Sequence, residues 1–188
     1  MSAVNTSIEQ LMNPHSIAVV GASSNPNSFR GRLFSTILHY NFQGDVIPVS
    51  RSERSIHGLT CISHVSELPQ TVDLAILAIP AQAVAGVLEE CAKIGIKAFL
   101  IVSSGFADEG SEEGTVRNEQ VSSIVKEYGL TVLGPNSEGF VNFSKRLAAT
   151  FSPVFAPTIH DKSLVPQMGA RIALLSQSGG VGFGLYDR

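Results

Sequence analysis

Five apolar runs rich in Val, Ile, Leu and Ala recur along the chain, and each ends at Gly, Pro, Ser or Asn. They span residues 16–23, 45–50, 72–80, 97–105 and 131–136. Runs of this length, bounded by turn-forming residues, predict buried β-strands. Segments with helical spacing of apolar residues lie between them, at residues 29–40, 83–94 and 113–128. Strands that alternate with helices predict βαβ crossovers, so the expected fold class is α/β, a Rossmann-like, doubly wound, mostly parallel sheet.

The composition agrees with a buried sheet and narrows the range of partners. Hydrophobic residues make up 44% of the chain and charged residues only 15%, as expected for strands covered on both faces. The formal net charge of -3, without a cluster of Lys and Arg, argues against binding to nucleic acid or to an anionic membrane surface. Cys61 and Cys91 lack metal-type spacing, and no apolar run approaches the ~20 residues of a membrane span. We therefore expect a cytoplasmic protein without a metal site.

The first strand ends in a turn that resembles a phosphate cradle. In doubly wound sheets, ligands bind outside the carboxyl ends of the strands, where the strand order reverses. Residues 21–26, "GASSNP", are small, so backbone N–H groups and a helix N-terminus can face an anion. Ser23, Ser24 and Asn25 add side-chain donors and candidate helix N-caps, and Pro26 suits an early helical position. An ordinary capped turn explains the same residues, so this turn alone leaves the choice open.

The end of the second strand bears on the kind of nucleotide. An NAD site favours Asp or Glu there, because the carboxylate accepts a hydrogen bond from the ribose 2′-OH. The chain reads "SRSER" over residues 50–54. Its two arginines and its hydroxyls favour a phosphorylated ribose, as in NADP or the 3′-phospho-ADP half of coenzyme A (CoA). Exposed loop arginines without a ligand are the competing explanation.

The remaining strand ends supply three more short loops at the same edge. Pro80 and Ala81 either terminate a strand or leave room for a pantetheine arm. Residues 103–110, "SSGFADEG", bring together two hydroxyls, a glycine and an aromatic ring. Asn136 lies on the turn "GPNSEG", which needs unusual dihedral angles. Five small-residue loops at one edge of one sheet predict a shared ligand site.

Several motifs, taken in order, resemble the N-terminal CoA-binding domain of NDP-forming acyl-CoA synthetases. These are the ADP-forming acetate–CoA ligases, which are similar to the α subunit of succinyl-CoA synthetase. The motifs are "SIAVVGAS", "ELPQTVDLAILAIPA", "GIKAFLIVSSGF", "GLTVLGPNSEG" and "RIALLSQSGGVG", and the resemblance covers residues 8–188. We accordingly expect a CoA-binding Rossmann-like domain over residues 1–145 and a Pro- and Ser-rich linker over residues 146–170. Residues 171–188 would begin a truncated flavodoxin-like, succinyl-CoA-ligase-like domain, with a strand over residues 171–176 followed by a helix.

The resemblance implies an ATP-dependent ligase that forms acyl-CoA, ADP and phosphate from a carboxylic acid, ATP and CoA. It places the phosphohistidine of the reaction in a downstream domain, so it implies no catalytic residue within this chain. ATP and Mg²⁺ would bind to an ATP-grasp domain or subunit, the acid would be small, and the protein would tend to form homo-oligomers. None of the five histidines lies in a matching motif, so we expect structural or surface roles for His15, His39, His57, His64 and His160.

The resemblance also assigns residues by position. It matches Ser23 to Pro26 with a turn that contacts CoA, residues 103–105 with a second contacting loop, and Asn136 with a turn near the thiol. The family's Asn-Pro-Lys after the second strand is replaced here, which leaves open whether Arg51, Arg54 or neither meets the CoA 3′-phosphate. The candidate CoA-binding residues are Gly21, Ala22, Ser23, Ser24, Asn25, Pro26, Ser50, Arg51, Pro80, Ala81, Ser103, Ser104, Gly105, Phe106 and Asn136.

Two other functions remain open at this point. The main alternative is a CoA- or NAD(P)-responsive regulatory module, either stand-alone or part of a protein acetyltransferase. An NADP oxidoreductase is the weaker choice, because the sequence shows neither a proton donor nor a hydride-accepting pocket.

Overall fold

The computed structural model describes residues 3–156 and 173–186. The chain forms two compact units. The sheet unit consists of Met1–Ser24 and Gly44–Ser137, and the hairpin unit consists of Asn25–Gln43 and Glu138–Arg188. The described strands are β1 (Ser16–Val20), β2 (Asp45–Val49), β3 (Ser55–Ile56), β4 (Leu59–Thr60), β5 (Leu74–Leu77), β6 (Ala98–Ile101), β7 (Thr131–Leu133), β8 (Gly139–Asn142) and β9 (Leu147–Thr150). The helices are α1 (Ala3–Met12), α2 (Phe29–His39), α3 (Ala81–Lys93), α4 (Glu112–Tyr128) and α5 (Gly179–Tyr186).

A five-stranded parallel sheet with the order β2-β1-β5-β6-β7 forms the centre of the sheet unit. Strands β1, β5 and β6 are buried along their whole length, as expected for parallel strands covered on both faces. Strand β2 contains Pro48, which lacks an N–H and therefore suits the edge of a sheet. The predicted α/β class and the parallel sheet are confirmed.

The strand order reverses between β1 and β5. The chain passes from β1 to β2 on one side and returns to place β5 on the other side of β1. Val20 pairs with Leu77 in the parallel register, so the two strands end at the same level. Their carboxyl ends therefore border the crevice at which doubly wound sheets bind ligands.

Helices α3 and α4 contribute to the main apolar core. Val84, Leu88 and Cys91 of α3 and Val121 of α4 are buried in one cluster with alternate residues of the sheet. Residues that alternate along a strand point to one face, so this cluster lies on a single side of the sheet. Helix α1 contacts β6 and β7.

Helix α2 begins later than its preceding turn suggested. Its N-cap is Ser28, whose Oγ accepts a hydrogen bond from the Gly31 N–H at 3.0 Å. Before it, the Ser28 N–H donates to the Asn25 carbonyl at 3.1 Å, which closes a separate turn. The prediction that Pro26 lies in the helix and that Ser23, Ser24 or Asn25 caps it is therefore wrong.

The hairpin unit contains structure where the sequence predicted a linker. Strands β8 and β9 pair antiparallel, with Gly139 opposite Thr150. The Phe155 ring packs against Tyr40, Phe143 and Phe183, with centroid distances of 6.2, 6.2 and 5.4 Å.

The predicted boundaries around this unit need correction. Strand β9 lies within residues 146–170, so the linker prediction is wrong over Leu147–Thr150, while residues 157–170 lie outside the described range. Residues 173–176, the described part of the predicted strand 171–176, are not a strand, although the helix expected after them is present as α5.

Candidate functional site

The loops that follow the five parallel strands lie at one edge of the sheet unit, which we call the rim. The rim comprises residues 21–24, 50–54, 78–81, 102–106 and 134–137. It therefore brings together every candidate residue from the sequence except Asn25 and Pro26, which belong to the hairpin unit. Asn25 Oδ1 accepts a hydrogen bond from the Asn27 N–H at 3.0 Å, and both candidates are exposed there.

Gly21 allows the loops after β1 and β5 to approach each other closely. Its φ is +88°, and a Cβ at this position would lie 2.9 Å from Ile79 Cγ2 and 3.0 Å from the carbonyl carbon of Ala78. The N–H groups of Gly21 and Ala22 both donate to the Val49 carbonyl, at 2.9 and 3.2 Å. These two amides are therefore occupied by the protein itself, and the two residues contribute close packing at the rim.

Glu53 holds another amide of the same turn, that of Ser24. The Ser24 N–H donates to Glu53 Oε1 and Oε2, at 3.0 and 3.2 Å. Burial and, as the smaller cause, the Glu53 charge raise the pKa of the Cys61 thiol, so the carboxylate also lies within electrostatic range of that sulfur. The local sequence around Glu53 does not indicate this role, because its partner lies 29 residues away.

The loop that carries Glu53 is fixed near both ends. The Ser50 N–H donates to the Ile62 carbonyl at 2.9 Å, and the Cys61 N–H donates to the Arg54 carbonyl at 2.9 Å. The buried Ser50 Oγ lies 3.5 Å from Ser52 Oγ. The side chains of Arg51 and Arg54 are exposed.

The loops after β5 and β6 are also in close contact. Ser103 is buried, and its Oγ donates to the Ile79 carbonyl at 2.5 Å, so this hydroxyl serves the structure. Gly105 has a φ of +103°, and a Cβ there would lie 3.0 Å from Ala81 Cβ. The side chains of Ser104 and Pro80 remain exposed at the rim.

Phe106 belongs to the core. Its side chain is 1% exposed and packs in the same apolar cluster as α3 and α4. The expectation that this aromatic ring contacts a ligand is therefore wrong, because the loop turns back over the sheet and buries the ring.

Asp108 connects the loops after β6 and β7. Its Oδ1 accepts from the Phe106 N–H at 3.1 Å, and its Oδ2 accepts from Asn136 Nδ2 at 3.1 Å. Asn136 is exposed in the left-handed region, with φ +54°, and its N–H donates to the Ser103 carbonyl at 2.9 Å. Asp108 thus fixes the orientation of the Asn136 amide.

Arg117 of α4 supports the same rim loop from the side. Its guanidinium donates to the Gly105 carbonyl and lies 3.8 Å from the Glu109 carboxylate. Asp108 and Arg117 were not predicted as site residues from the sequence. The only signal for Asp108 was its place in "SSGFADEG", and Arg117 stands within an ordinary helical pattern.

The rim offers hydrogen-bond donors and exposed cations for an anionic ligand. Among residues 3–156 and 173–186, no cluster of three or more His, Cys, Asp or Glu side chains is arranged to hold a metal ion. Within the same residues, no helix has both the length and the apolar character needed to cross a bilayer. The arrangement is chemically suited to holding a phosphorylated ligand.

Comparison with known proteins identifies relatives that include this region. Residues 15–142 match the model of a family described as a CoA binding domain. The chain is 37% identical over 183 residues to the α subunit of acetate–CoA ligase (ADP-forming) I of Pyrococcus furiosus, covering 95% of this chain and 37% of that protein. It is 36% identical over 173 residues to the 4-hydroxybutyrate–CoA ligase (ADP-forming) of Nitrosopumilus maritimus, covering 91% of this chain and 23% of that protein.

A solved structure shares the fold. The dinucleotide-forming acetyl-coenzyme A synthetase 1 of Ca. Korarchaeum cryptofilum, in complex with phosphate and ADP, matches with a TM-score of 0.73 and 36% identity. The match covers 79% of this chain and 31% of that chain, so the present chain spans about a third of this relative. The resemblance drawn from the motifs is confirmed, and the chain belongs to the CoA binding domain family.

Proposed function

We propose that the rim binds CoA and that the chain is the CoA-binding part of an ATP-dependent, ADP-forming acid–CoA ligase. The observation that carries this proposal is the close backbone packing of the rim loops around glycines at positive φ. Gly21 lies against Ala78, Gly105 lies against Ala81, and a Cβ at Gly134 would lie 3.2 Å from the carbonyl carbon of Ile101. Side chains at these positions would force the loops apart and displace the groups that they present at the rim to a diphosphate and a pantetheine arm.

The exposed polar groups of the rim form two sets, according to the strands that they follow. Ser24 and Arg51 follow β1 and β2, at the end of the rim that suits the phosphates of the 3′-phospho-ADP half. Ser104 and Asn136 follow β6 and β7, at the end that suits the pantetheine arm and thiol. Bound CoA supplies the thiol that accepts the acyl group. The chain's own residues orient the ligand, and we assign no catalytic role to any of them.

The relatives support the proposal that the whole protein is an acid–CoA ligase. Their names include ligases for acetate and 4-hydroxybutyrate and a trans-feruloyl-CoA synthase, which supports a carboxylic acid as the proposed substrate class of the whole protein. We place ATP, Mg²⁺ and the phosphohistidine outside this chain, in an ATP-grasp partner and a downstream domain that begins within residues 171–188. The regulatory alternative gains no support from these relatives.

A titration by calorimetry tests CoA binding, with dephospho-CoA, NAD⁺ and NADP⁺ as comparison ligands. Arg51→Ala is expected to weaken CoA binding by about 1–3 kcal/mol and to leave dephospho-CoA unchanged, because the lost contact is to the 3′-phosphate. Lys126→Ala is the matched control, since Lys126 is an exposed cation in the last turn of α4.

Two outcomes contradict the proposal. Absence of CoA binding up to millimolar concentration removes its basis. Tighter binding of NAD⁺ or NADP⁺ than of CoA points instead to a dinucleotide sensor or an oxidoreductase.

A further inference from the structure

We infer that Glu53 competes with the phosphates of CoA for the Ser24 N–H and thereby sets the affinity of the rim for its ligand. The inference rests on the proposed CoA site and concerns a residue that the sequence analysis left without a role. In the structure, both carboxylate oxygens of Glu53 lie within hydrogen-bond distance of this single amide. A carboxylate thus occupies the position that an oxyanion of the ligand would take.

The two anions cannot share the amide. A phosphate oxygen bound to the Ser24 N–H would lie about 4 Å or less from the Glu53 carboxylate, at which distance like charges repel each other. Binding of a phosphate at Ser24 therefore requires Glu53 to leave. The half-buried position of Glu53 strengthens this repulsion relative to a fully exposed pair.

The backbone around Glu53 is anchored by bonds that do not involve its carboxylate. The loop around it is anchored by the bonds from Ser50 to Ile62 and from Cys61 to Arg54, so its backbone is held in place. The Glu53 side chain can rotate without breaking either bond. The amides of Gly21 and Ala22, in contrast, are held by a backbone carbonyl of the sheet, so they cannot be released in the same way.

If Glu53 had the opposite role, its removal would change the affinity for CoA in the opposite direction. In dinucleotide sites, an acidic residue after the second strand accepts a hydrogen bond from a ribose hydroxyl, so its removal weakens binding. If Glu53 competes with phosphate, its removal strengthens binding.

The experiment measures CoA and dephospho-CoA affinity by calorimetry for the wild type, Glu53→Gln, Glu53→Ala and Glu127→Gln. Glu53→Gln is expected to bind both ligands about three- to tenfold more tightly, because the neutral amide is a weaker competitor for the N–H. Glu53→Ala, which has no competing oxygen, should bind at least as tightly. Glu127 is exposed in the last turn of α4, so Glu127→Gln makes the same change in net charge away from the rim and should change affinity less than about twofold.

The possible results distinguish a failure of the competition by Glu53 from a failure of the proposed CoA site. Unchanged affinity in both Glu53 variants, or weaker binding, overturns the competition while leaving the CoA site standing. No CoA binding by any of the four folded proteins overturns the proposed function itself, and the inference with it. Amide hydrogen exchange at Ser24 without ligand gives a second test, because exchange should be faster in Glu53→Ala than in the wild type, and equal rates contradict the contact.

Discussion

Replacing Gly21 by alanine tests the close approach of the β1 and β5 loops, and Gly58 provides a matched control. Both glycines belong to the sheet unit and have similar φ angles, +88° at Gly21 and +83° at Gly58. A Cβ at Gly58 would meet nothing within 4 Å. A Cβ at Gly21 would lie 2.9 Å from Ile79 Cγ2 and 3.0 Å from the carbonyl carbon of Ala78. The difference between the two variants therefore isolates the contact.

The magnitude follows from these distances. A non-glycine residue at positive φ costs about 1–2 kcal/mol, and this cost applies to both variants. Alanine also restricts the unfolded chain equally in both, so that contribution cancels. At Gly21 the β1 loop must in addition move away from Ala78, and overpacking of this kind costs about 1–3 kcal/mol. Gly21→Ala is thus expected to be about 1–3 kcal/mol less stable than Gly58→Ala.

Urea unfolding followed by circular dichroism measures this difference from the transition midpoints, provided that the m-values agree. Equal stability of the two variants within about 0.5 kcal/mol refutes the close approach, since normal scatter between surface substitutions is of that size. In a second measurement, Gly21→Ala should weaken CoA binding more than Gly58→Ala, because the added methyl group would displace the β1 loop, which carries Ser24 of the proposed site.

Two further predictions concern the rim loops and the thiols. Asp108→Asn leaves one oxygen to serve both the Phe106 N–H and the Asn136 amide, so CoA affinity should fall about three- to tenfold. Calorimetry with 3′,5′-ADP, which lacks the pantetheine arm, should show no change, and an equal loss would contradict a role at the thiol end. Burial raises the pKa of the Cys91 thiol to about 12, so at pH 8 mass spectrometry should find Cys91 unlabelled by iodoacetamide until the protein unfolds. Labelling of Cys91 in the folded protein, at a rate equal to that of the half-buried Cys61, would contradict its burial.

The parallel sheet could be predicted from the sequence because its strands are buried on both faces and read as continuous apolar runs. The ends of the strands could not be predicted in the same way. The run at residues 97–105 was expected to be one strand, but β6 ends at Ile101. The small residues that follow belong to the rim, where Ser103 bonds to Ile79 and Gly105 adopts a positive φ. Apolar and small residues serve both regions, so composition alone does not separate the strand from its loop.

The hairpin of β8 and β9 was missed because it lacks the usual turn signal. Its connection contains a short 3₁₀ turn at Phe143–Lys145 and is completed by Arg146 in the left-handed region, with φ +52°. Glycine or asparagine normally marks such a position. Because Arg146 stands at this position, and because Pro and Ser follow β9, the segment resembled a linker. Pairing with β8 and contact with α2 are what define β9, and neither is local in sequence.

The starts of α2 and α4 share a pattern that would have corrected the first helix boundary. Each helix is capped by a serine whose hydroxyl accepts from a glycine N–H three residues later, Ser28 with Gly31 and Ser111 with Gly114. In both cases a Cβ on the glycine would crowd a backbone carbonyl of the preceding loop. The Cβ would lie 2.6 Å from the Asn25 carbonyl carbon at Gly31, and 2.9 Å from the Phe106 carbonyl carbon at Gly114. The sequences "SFRG" and "SEEG" therefore mark helices whose preceding loop folds back over the first turn.

The rim could be predicted from the fold, whereas the roles of its residues depend on contacts between distant segments. Polar and small residues at the strand ends correctly indicated the rim, because parallel strands bring their carboxyl ends to one edge. Yet hydrogen bonds within the protein occupy the Gly21 and Ala22 amides and the Ser103 hydroxyl, and Glu53 takes the Ser24 amide. Of these four groups, the Ser24 amide is the one whose present partner is a side chain, so it is the one that a ligand can take without disturbing the backbone of the sheet unit. For this reason the Glu53 variants, more than any substitution of the turn itself, test whether a phosphate of the ligand takes the Ser24 amide.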